Sequence, residues 1–387
     1  MKTVFMFPND PNPRFIKRMK FTCENGLKTY LIYWNRGINT PYTLPKGVIC
    51  QSVDLKVKLG SRIKKFFLLP IFLYKSLKKL IKIKPDIIHV GLIDMLFIAT
   101  IYKTFFNNKV RIIYEIGDLP KFIINKHTGI KEIIRNFIVY LEKKLTKGID
   151  LLILTSPYFW DEYYKKFVEK EKYLYIANAP SKELFGKFKK KSLGDRIVIG
   201  YVGFVRYKKQ ILNLIDAVRK YKDTFEIYIA GEGPDAKEIR QYIIDTNSED
   251  FVTMSGPYNY NEDILNIYSK LDIVYSVYDT SFENVKLALP NKLYEAIVCE
   301  LPMIVAKNTQ LEKFVLDYKI GYSVDDQDVE DLKNLLRSIK EKPVTLEENS
   351  QISPEIKNAN FVEEYNKKLL LKYKSLLEEI DRSKAFD

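Results

Sequence analysis

Cysteine and histidine are scarce in this chain of 387 residues, which holds three Cys and two His. Cys23, Cys50 and Cys299 lie far apart in the sequence, which excludes a disulfide framework and a Cys-rich zinc site. A reducing compartment is the simpler setting. His89 and His127 alone cannot build a His-rich metal centre. Long apolar runs are also missing. The longest, residues 66–74, sits between lysines, whereas a membrane span needs about 20 apolar residues. The start, Met1-Lys2-Thr3-Val4-Phe5-Met6-Phe7-Pro8, has too short an apolar run for a signal peptide. These absences lead to the expectation of a cytoplasmic chain that is soluble or peripheral at a membrane.

Material for a core is abundant: 46% of residues are hydrophobic and 13% aromatic, so disorder is excluded as the main state. At very roughly 150 residues per domain, the length suits two or three domains. The charge is unevenly divided. Residues 1–190 hold 36 Lys and Arg against 15 Asp and Glu, a net +21, and the remainder holds 27 against 34, a net −7. The first half is therefore expected to face something anionic. Charge alone does not choose between nucleic acid and lipid, but a helix-turn-helix or aromatic-studded sheet signature is lacking, so no nucleic-acid partner is expected.

Strand-like runs at 3–7, 29–33, 87–90, 111–114, 151–154 and 173–176 alternate with helical segments. A polar, basic, Gly-containing stretch from Gly186 to Arg196 reads as a linker. The alternation restarts with strands at 197–202, 225–230, 251–254, 273–277 and 303–306, and with helices at 208–221, 236–244, 262–269, 291–299 and 329–339. Many of the strands are continuous apolar runs, as in parallel strands covered on both faces. The fold class is therefore α/β, with two Rossmann-like domains facing across a cleft. The expected division is 1–188, 195–350, and a C-terminal helix at 354–380 that packs back on the first domain. Ligands of such sheets bind beyond the carboxyl ends of strands, where glycine turns and helix N-termini lie.

Three loops there carry candidate chemistry. Gly203-Phe204-Val205-Arg206-Tyr207-Lys208-Lys209 joins a glycine turn to a cationic helix start. Fork-like Arg, point-charged Lys and free amides suit a diphosphate, and a solvated helix start fits equally well. Gly231-Glu232-Gly233-Pro234-Asp235-Ala236 matches G-x-G-x-x-A. It follows an interior strand, and Pro234 removes an amide, so a tight turn is a better account than NAD binding. In Pro290-Asn291-Lys292-Leu293-Tyr294-Glu295-Ala296, Pro290 suits a helix start. The amides of Asn291, Lys292 and Leu293 could hold phosphate, and Glu295 could accept two bonds from vicinal hydroxyls. Glu295 could equally complement the helix dipole. Asp325-Asp326-Gln327-Asp328 contains D-x-D, but acids at a helix start explain it better than a metal site. His89 could approach the cleft or be a buried structural residue.

In order along nearly the whole chain, these motifs resemble the family 4 glycosyltransferases, of the GT-B fold. The resemblance adds Leu301-Pro302-Met303-Ile304-Val305 after Glu295, and Pro85-Asp86-Ile87-Ile88-His89-Val90 in the first half. It implies retaining transfer of a sugar from a UDP- or GDP-linked donor, with no cofactor and no bound metal. By position it implies that Arg206 and Lys209 meet the diphosphate, that Gly203, Gly231, Asn291, Lys292 and Leu293 line the donor, that Glu295 meets the ribose, and that Asp118 belongs to the catalytic centre. The sequence departs from the family pattern at Phe204 (usually Arg), Leu287 (usually Glu) and Gly117 (usually His). A non-catalytic GT-B partner subunit, or a nucleotide-sugar epimerase or phosphorylase on this fold, is the alternative.

Residues 55–85 carry ten cations and no acid before Asp86. At 100° per residue Lys64, Lys75, Lys79 and Lys82 fall on one side of a helix and Leu73, Leu77 and Leu80 opposite. That suits an anionic membrane surface, the plainer alternative being solvated lysines. The expected reaction is glycosyl transfer to a lipid-linked or polysaccharide-precursor acceptor in cell-surface glycan synthesis, peripheral to the inner face of the cell membrane.

Overall fold

The computed structural model describes residues 1–37, 43–57, 61–125, 127–191, 195–342 and 352–385. The chain forms two compact units. Unit 1 is Met1–Ile176 with Asn366–Asp387, and unit 2 is Ala177–Tyr365. The division falls at residue 176, so 177–188 cluster with unit 2, and the linker-like stretch lies inside that unit.

Unit 1 contains β1 (Lys2–Phe7), β2 (Lys28–Asn35), β3 (Ile49–Cys50), β4 (Val53–Asp54), β5 (Ile87–Val90), β6 (Arg111–Ile116), β7 (Leu151–Leu154) and β8 (Tyr173–Tyr175). Its helices are α1 (Pro13–Glu24), α2 (Arg62–Ile83), α3 (Ile93–Phe105), α4 (Lys121–Ile124), α5 (Ile130–Thr146) and α6 (Pro157–Glu162). The strands pair in the order β3-β2-β1-β5-β6-β7-β8, with β4 also on β2, and the pairs are parallel. The apolar runs that marked β5 and β7 are buried at every residue, as a sheet covered on both faces requires. Helix α1 begins where Pro13 removes an amide that needs no partner and Asn12 accepts the Phe15 N–H at 3.0 Å. Phe5, Phe7, Phe15, Met19 and Leu31 then close a core between α1 and the sheet.

Unit 2 contains α7 (Lys182–Phe185), β9 (Ile197–Val202), α8 (Lys208–Arg219), β10 (Phe225–Ala230), α9 (Ala236–Asp245), β11 (Val252–Gly256), α10 (Tyr260–Ser269) and β12 (Ile273–Ser276). It continues with α11 (Glu283–Leu287), α12 (Asn291–Val298), β13 (Met303–Ala306), α13 (Gln310–Asp317), β14 (Gly321–Val324), α14 (Val329–Glu341) and α15 (Pro354–Ala359). The last helix, α16 (Val362–Ala385), begins in unit 2 and belongs to unit 1 from Asn366 onward. The parallel sheet runs β11-β10-β9-β12-β13-β14. The strand order reverses between β9 and β12, the switch point where a doubly wound sheet opens for a ligand. The loop that leaves β9 carries the first candidate motif, and the third begins α12, which follows β12 after the short helix α11.

Strand β14 and helices α11 and α13 were not anticipated. Strand β14 is a four-residue edge strand that starts on glycine, too short to show a period. The single helix expected at 354–380 is two, broken at Asn360, whose side chain donates to the Ile356 carbonyl at 2.7 Å.

Candidate functional site

The β9–α8 and β10–α9 loops of unit 2 are stacked backbone on backbone. Gly203 N–H donates to Ala230 O at 2.8 Å and Val205 N–H to Glu232 O at 3.1 Å. A Cβ on Gly231 would lie 1.8 Å from the Gly203 carbonyl oxygen, and both glycines have positive φ (+140° and +115°). Only glycine fits. The G-x-G pattern at 231–233 therefore serves loop packing, and Gly231 supports the Gly203 turn from beneath.

On that turn Tyr201 Oη donates to the carbonyls of Phe204 at 2.9 Å and Arg206 at 3.3 Å. Phe204, which replaces the usual arginine, is exposed. Arg206 is exposed and its guanidinium lies 4.9 Å from the Tyr207 ring centre. Lys209, in the first turn of α8, reaches the side-chain oxygen of Gln327 in the loop before α14.

Helix α12 brings the third motif to the same place. A Cβ on Gly203 would be 3.5 Å from Lys292 Cε. The Lys292 ammonium sits 3.8 Å from the Tyr201 ring centre and 5.2 Å from that of Tyr278. Among the described residues it makes no ion pair and no hydrogen bond. Burial pushes it down to about 7, with Glu295 pulling it up and Arg206 pushing it down. The sequence reading used only the backbone of Lys292, so this side chain was missed. The amides need a correction too. Leu293 N–H donates to Pro290 O at 3.0 Å, which leaves those of Asn291 and Lys292 as the amides without a partner among the described residues.

Glu295 is 5% exposed and accepts Tyr260 Oη at 2.7 Å on one oxygen and Tyr268 Oη at 2.6 Å on the other. Burial and then the carboxylate raise both hydroxyls, so they stay protonated donors. Each carboxylate oxygen keeps a further acceptor position. The D-x-D acids have local duties. Asp326 accepts Thr280 Oγ1 at 2.6 Å and Gln210 Nε2 at 3.2 Å, and Asp328 caps α14 through Glu330 N–H at 2.8 Å.

The unit 1 candidate, Asp118, is exposed after β6. Beside it is a buried cluster absent from the sequence reading. Glu115, fully buried, pairs with Arg14 at 2.9 Å, Arg18 at 3.2 Å and His89 Nε2 at 2.9 Å. His89 Nδ1 is 3.0 Å from Tyr373 Oη in α16. Burial alone would raise Glu115, and Arg18, His89 and Arg14 outweigh it, holding its carboxyl well below the usual range. Burial pushes His89 down, so it is neutral at pH 7. A Cβ on Gly117 would lie 1.4 Å from Arg14 Nη1, so the residue that departs from the family's histidine makes room for the arginine. The signal was available: a charge inside a buried parallel strand demands partners, and Arg14 and Arg18 are four apart on α1.

Residues 184–359, nearly all of unit 2, match the family model described as glycosyl transferases group 1. A curated relative, succinoglycan biosynthesis protein ExoL of Rhizobium meliloti (strain 1021), is 27% identical over 262 residues, which is 65% of this chain and 64% of that protein's length. Sucrose-phosphate synthase (tll1590) from Thermosynechococcus elongatus superposes with a TM-score of 0.75 at 16% identity, covering 98% of this chain and 100% of its own. Anabaena Alr3699/HepE, solved in complex with UDP, gives 0.71 at 15%, covering 97% and 100%. The fold is GT-B. The resemblance to family 4 glycosyltransferases is borne out, and the family model and ExoL together support a glycosyltransferase.

Proposed function

We propose that the protein is a retaining glycosyltransferase that moves a sugar from a UDP- or GDP-linked donor to a lipid-linked or glycan acceptor in polysaccharide synthesis. The observation that carries this is Lys292, whose amine makes no ion pair among the described residues and lies beside the Gly203 turn and at the α12 amides, with Arg206 near enough to push its pKa down. In the reaction the bond from the sugar to the diphosphate oxygen breaks, the acceptor hydroxyl oxygen forms the new bond to the same sugar carbon, and its proton passes to the departing diphosphate or to solvent. The leaving diphosphate gains negative charge, and Arg206, Lys209, Lys292 and the amides of Asn291 and Lys292 lie where that charge is met. Glu295 takes the ribose hydroxyls on its remaining acceptor positions. The UDP held by HepE supports the donor class, and ExoL's part in succinoglycan biosynthesis supports the glycan setting. Asp118 is assigned to the acceptor side of the reaction centre.

The site holds its own cations, so no metal is required, and turnover persists in excess EDTA. Abolition by chelation with rescue by Mg²⁺ overturns that. The deciding test is a thermal-shift screen against UDP, GDP and their sugars, because a ligand of the folded state raises its stability. Lys292→Met should cut the nucleotide's affinity at least tenfold. A chain that no nucleotide stabilises sinks the proposal.

The acceptor reading takes the protein to the inner face of a membrane. It is supported by the +21 of residues 1–190. Among the described residues no helix is long and apolar enough to cross a membrane.

A further inference from the structure

Unit 1 leaves an apolar surface uncovered. Helix α5 shows solvent Ile130 (76% exposed), Ile133 (70%), Ile134 (47%), Phe137 (63%) and Tyr140 (61%). At 100° per residue these five fall within an arc of about 120°. The helix is not turned the wrong way. Its opposite face is fixed by buried Glu142, which accepts Tyr114 Oη and Tyr164 Oη at 2.9 Å each and Tyr163 Oη at 2.8 Å.

The stripe has neighbours. Helices α2, α3 and α5 lead into β5, β6 and β7, consecutive strands entered in the same direction, so right-handed crossovers lay all three on one face of the sheet. Helix α3 packs against α2 and against α5. Helix α3 ends in exposed Phe105 (76%), and α2 exposes Phe67, Ile71 and Tyr74. Lysines flank the apolar residues: Lys75, Lys78 and Lys82 on α2, and Lys131, Lys143 and Lys144 on α5, are exposed. The three helices together carry twelve Lys and Arg against three Asp and Glu. One of those acids is the inward-facing Glu142, and a second, Glu132, pairs with Arg135 at 2.8 Å.

We propose that the outer face of α2, α3 and α5 docks on an anionic lipid bilayer, with the α5 stripe entering the boundary between headgroups and acyl chains. This deepens the membrane part of the reading above and rests on it. A bilayer fits the face better than a second copy does. Self-pairing would set an acid-free lysine helix against itself, whereas lipid phosphates meet those lysines while acyl chains take the isoleucines and Phe137. The contact is therefore partly apolar, beyond the electrostatic attraction expected from the basic α2 alone.

The test needs neither donor nor acceptor. The parent and the triple variant Ile133→Ser/Phe137→Ser/Tyr140→Ser are sedimented with phosphatidylcholine vesicles, with and without phosphatidylglycerol. Salt is about 0.1 M or about 1 M, where the screening length falls from about 10 to about 3 Å. The parent is expected to bind the phosphatidylglycerol vesicles and to keep part of that binding at high salt. The triple variant should bind at least tenfold more weakly and release fully at high salt. A separate Phe137→Trp variant should shift its emission to the blue and be quenched by lipids brominated on the acyl chain, after subtraction of the parent's signal from Trp34 and Trp160. Equal binding by parent and triple variant, an unquenched indole at position 137, or no vesicle binding by the parent overturns the proposal. So does a dimer, formed without vesicles, that the triple variant dissolves. The UDP thermal shift is run on the same samples: an unchanged shift shows that the triple variant folds, and vesicle binding without any shift retains this face while removing the nucleotide reading.

Discussion

Glu115 in unit 1 and Glu295 in unit 2 are both buried carboxylates, and their partners differ in kind. Glu115 is met by two guanidinium groups and an imidazole. Glu295 is met by two neutral tyrosine hydroxyls. Hydroxyls satisfy hydrogen bonding without bringing a counter-charge, so Glu295 keeps acceptor positions for a ligand, whereas the charge of Glu115 is met by the guanidinium groups of Arg14 and Arg18. The same carboxylate is thus a structural tie in one unit and a candidate ligand group in the other.

The largest effect that could break this contrast is on stability. Glu115→Ala leaves Arg14 and Arg18 without their counter-charge, and breaking such a buried pair costs about 3–5 kcal/mol. Urea denaturation reads it, and a loss under about 1 kcal/mol contradicts the structural role. Glu295→Ala and Lys209→Ala should instead leave the fold standing and weaken nucleotide-sugar binding or turnover at least tenfold. A hydrogen bond to a charged partner is worth about 1.5–3 kcal/mol, and 1.4 kcal/mol is tenfold. Parent-like titrations of both would move the donor site elsewhere.

The pH dependence separates the units next. His89 has a depressed folded value, so the unfolded chain binds the proton first, near 6.5. Its stabilising share is full above about 6.5 and is lost as pH falls below it. Glu115, also depressed, adds a second loss below about 4.3. Thermal melts from pH 7 to 5 should lose stability in the parent and lose less in His89→Phe. Equal slopes would mean that the histidine does not titrate on unfolding. The smallest effect is expected at Arg240, whose pair with Glu232 on the Gly231 loop is exposed. Arg240→Ala should change stability by less than about 1 kcal/mol, and a larger loss in the melt would give that loop a strain role.

Much of the fold was legible because buried parallel strands are written as unbroken apolar runs. Strands β9, β10 and β13 fall on the residues expected. Helix α13 and strand β14 were not legible, since short edge elements are fixed by their neighbours and not by a period of their own. At the site, the loops announced themselves through glycine and cation spacing. The partners did not: Tyr260 and Tyr268 meet Glu295 from 35 and 27 residues away, and Tyr373 meets His89 from 284. The Lys292 side chain was hidden for a different reason. A helix start signals its amides, but only the ring positions of Tyr201 and Tyr278 say where its ammonium goes.

The two-segment construction of unit 1 bears on how the chain is made. Tyr373, which bonds His89 and packs edge-on against Phe21 with ring centres 6.2 Å apart, belongs to a segment that follows the whole of unit 2. Synthesis runs at about 5–20 residues per second. For on the order of ten to forty seconds the ribosome therefore holds a nearly finished unit 1 with His89 and Phe21 uncovered. Unit 2, drawn from one continuous stretch, can close in that interval, so the second unit to begin is the first to be completed.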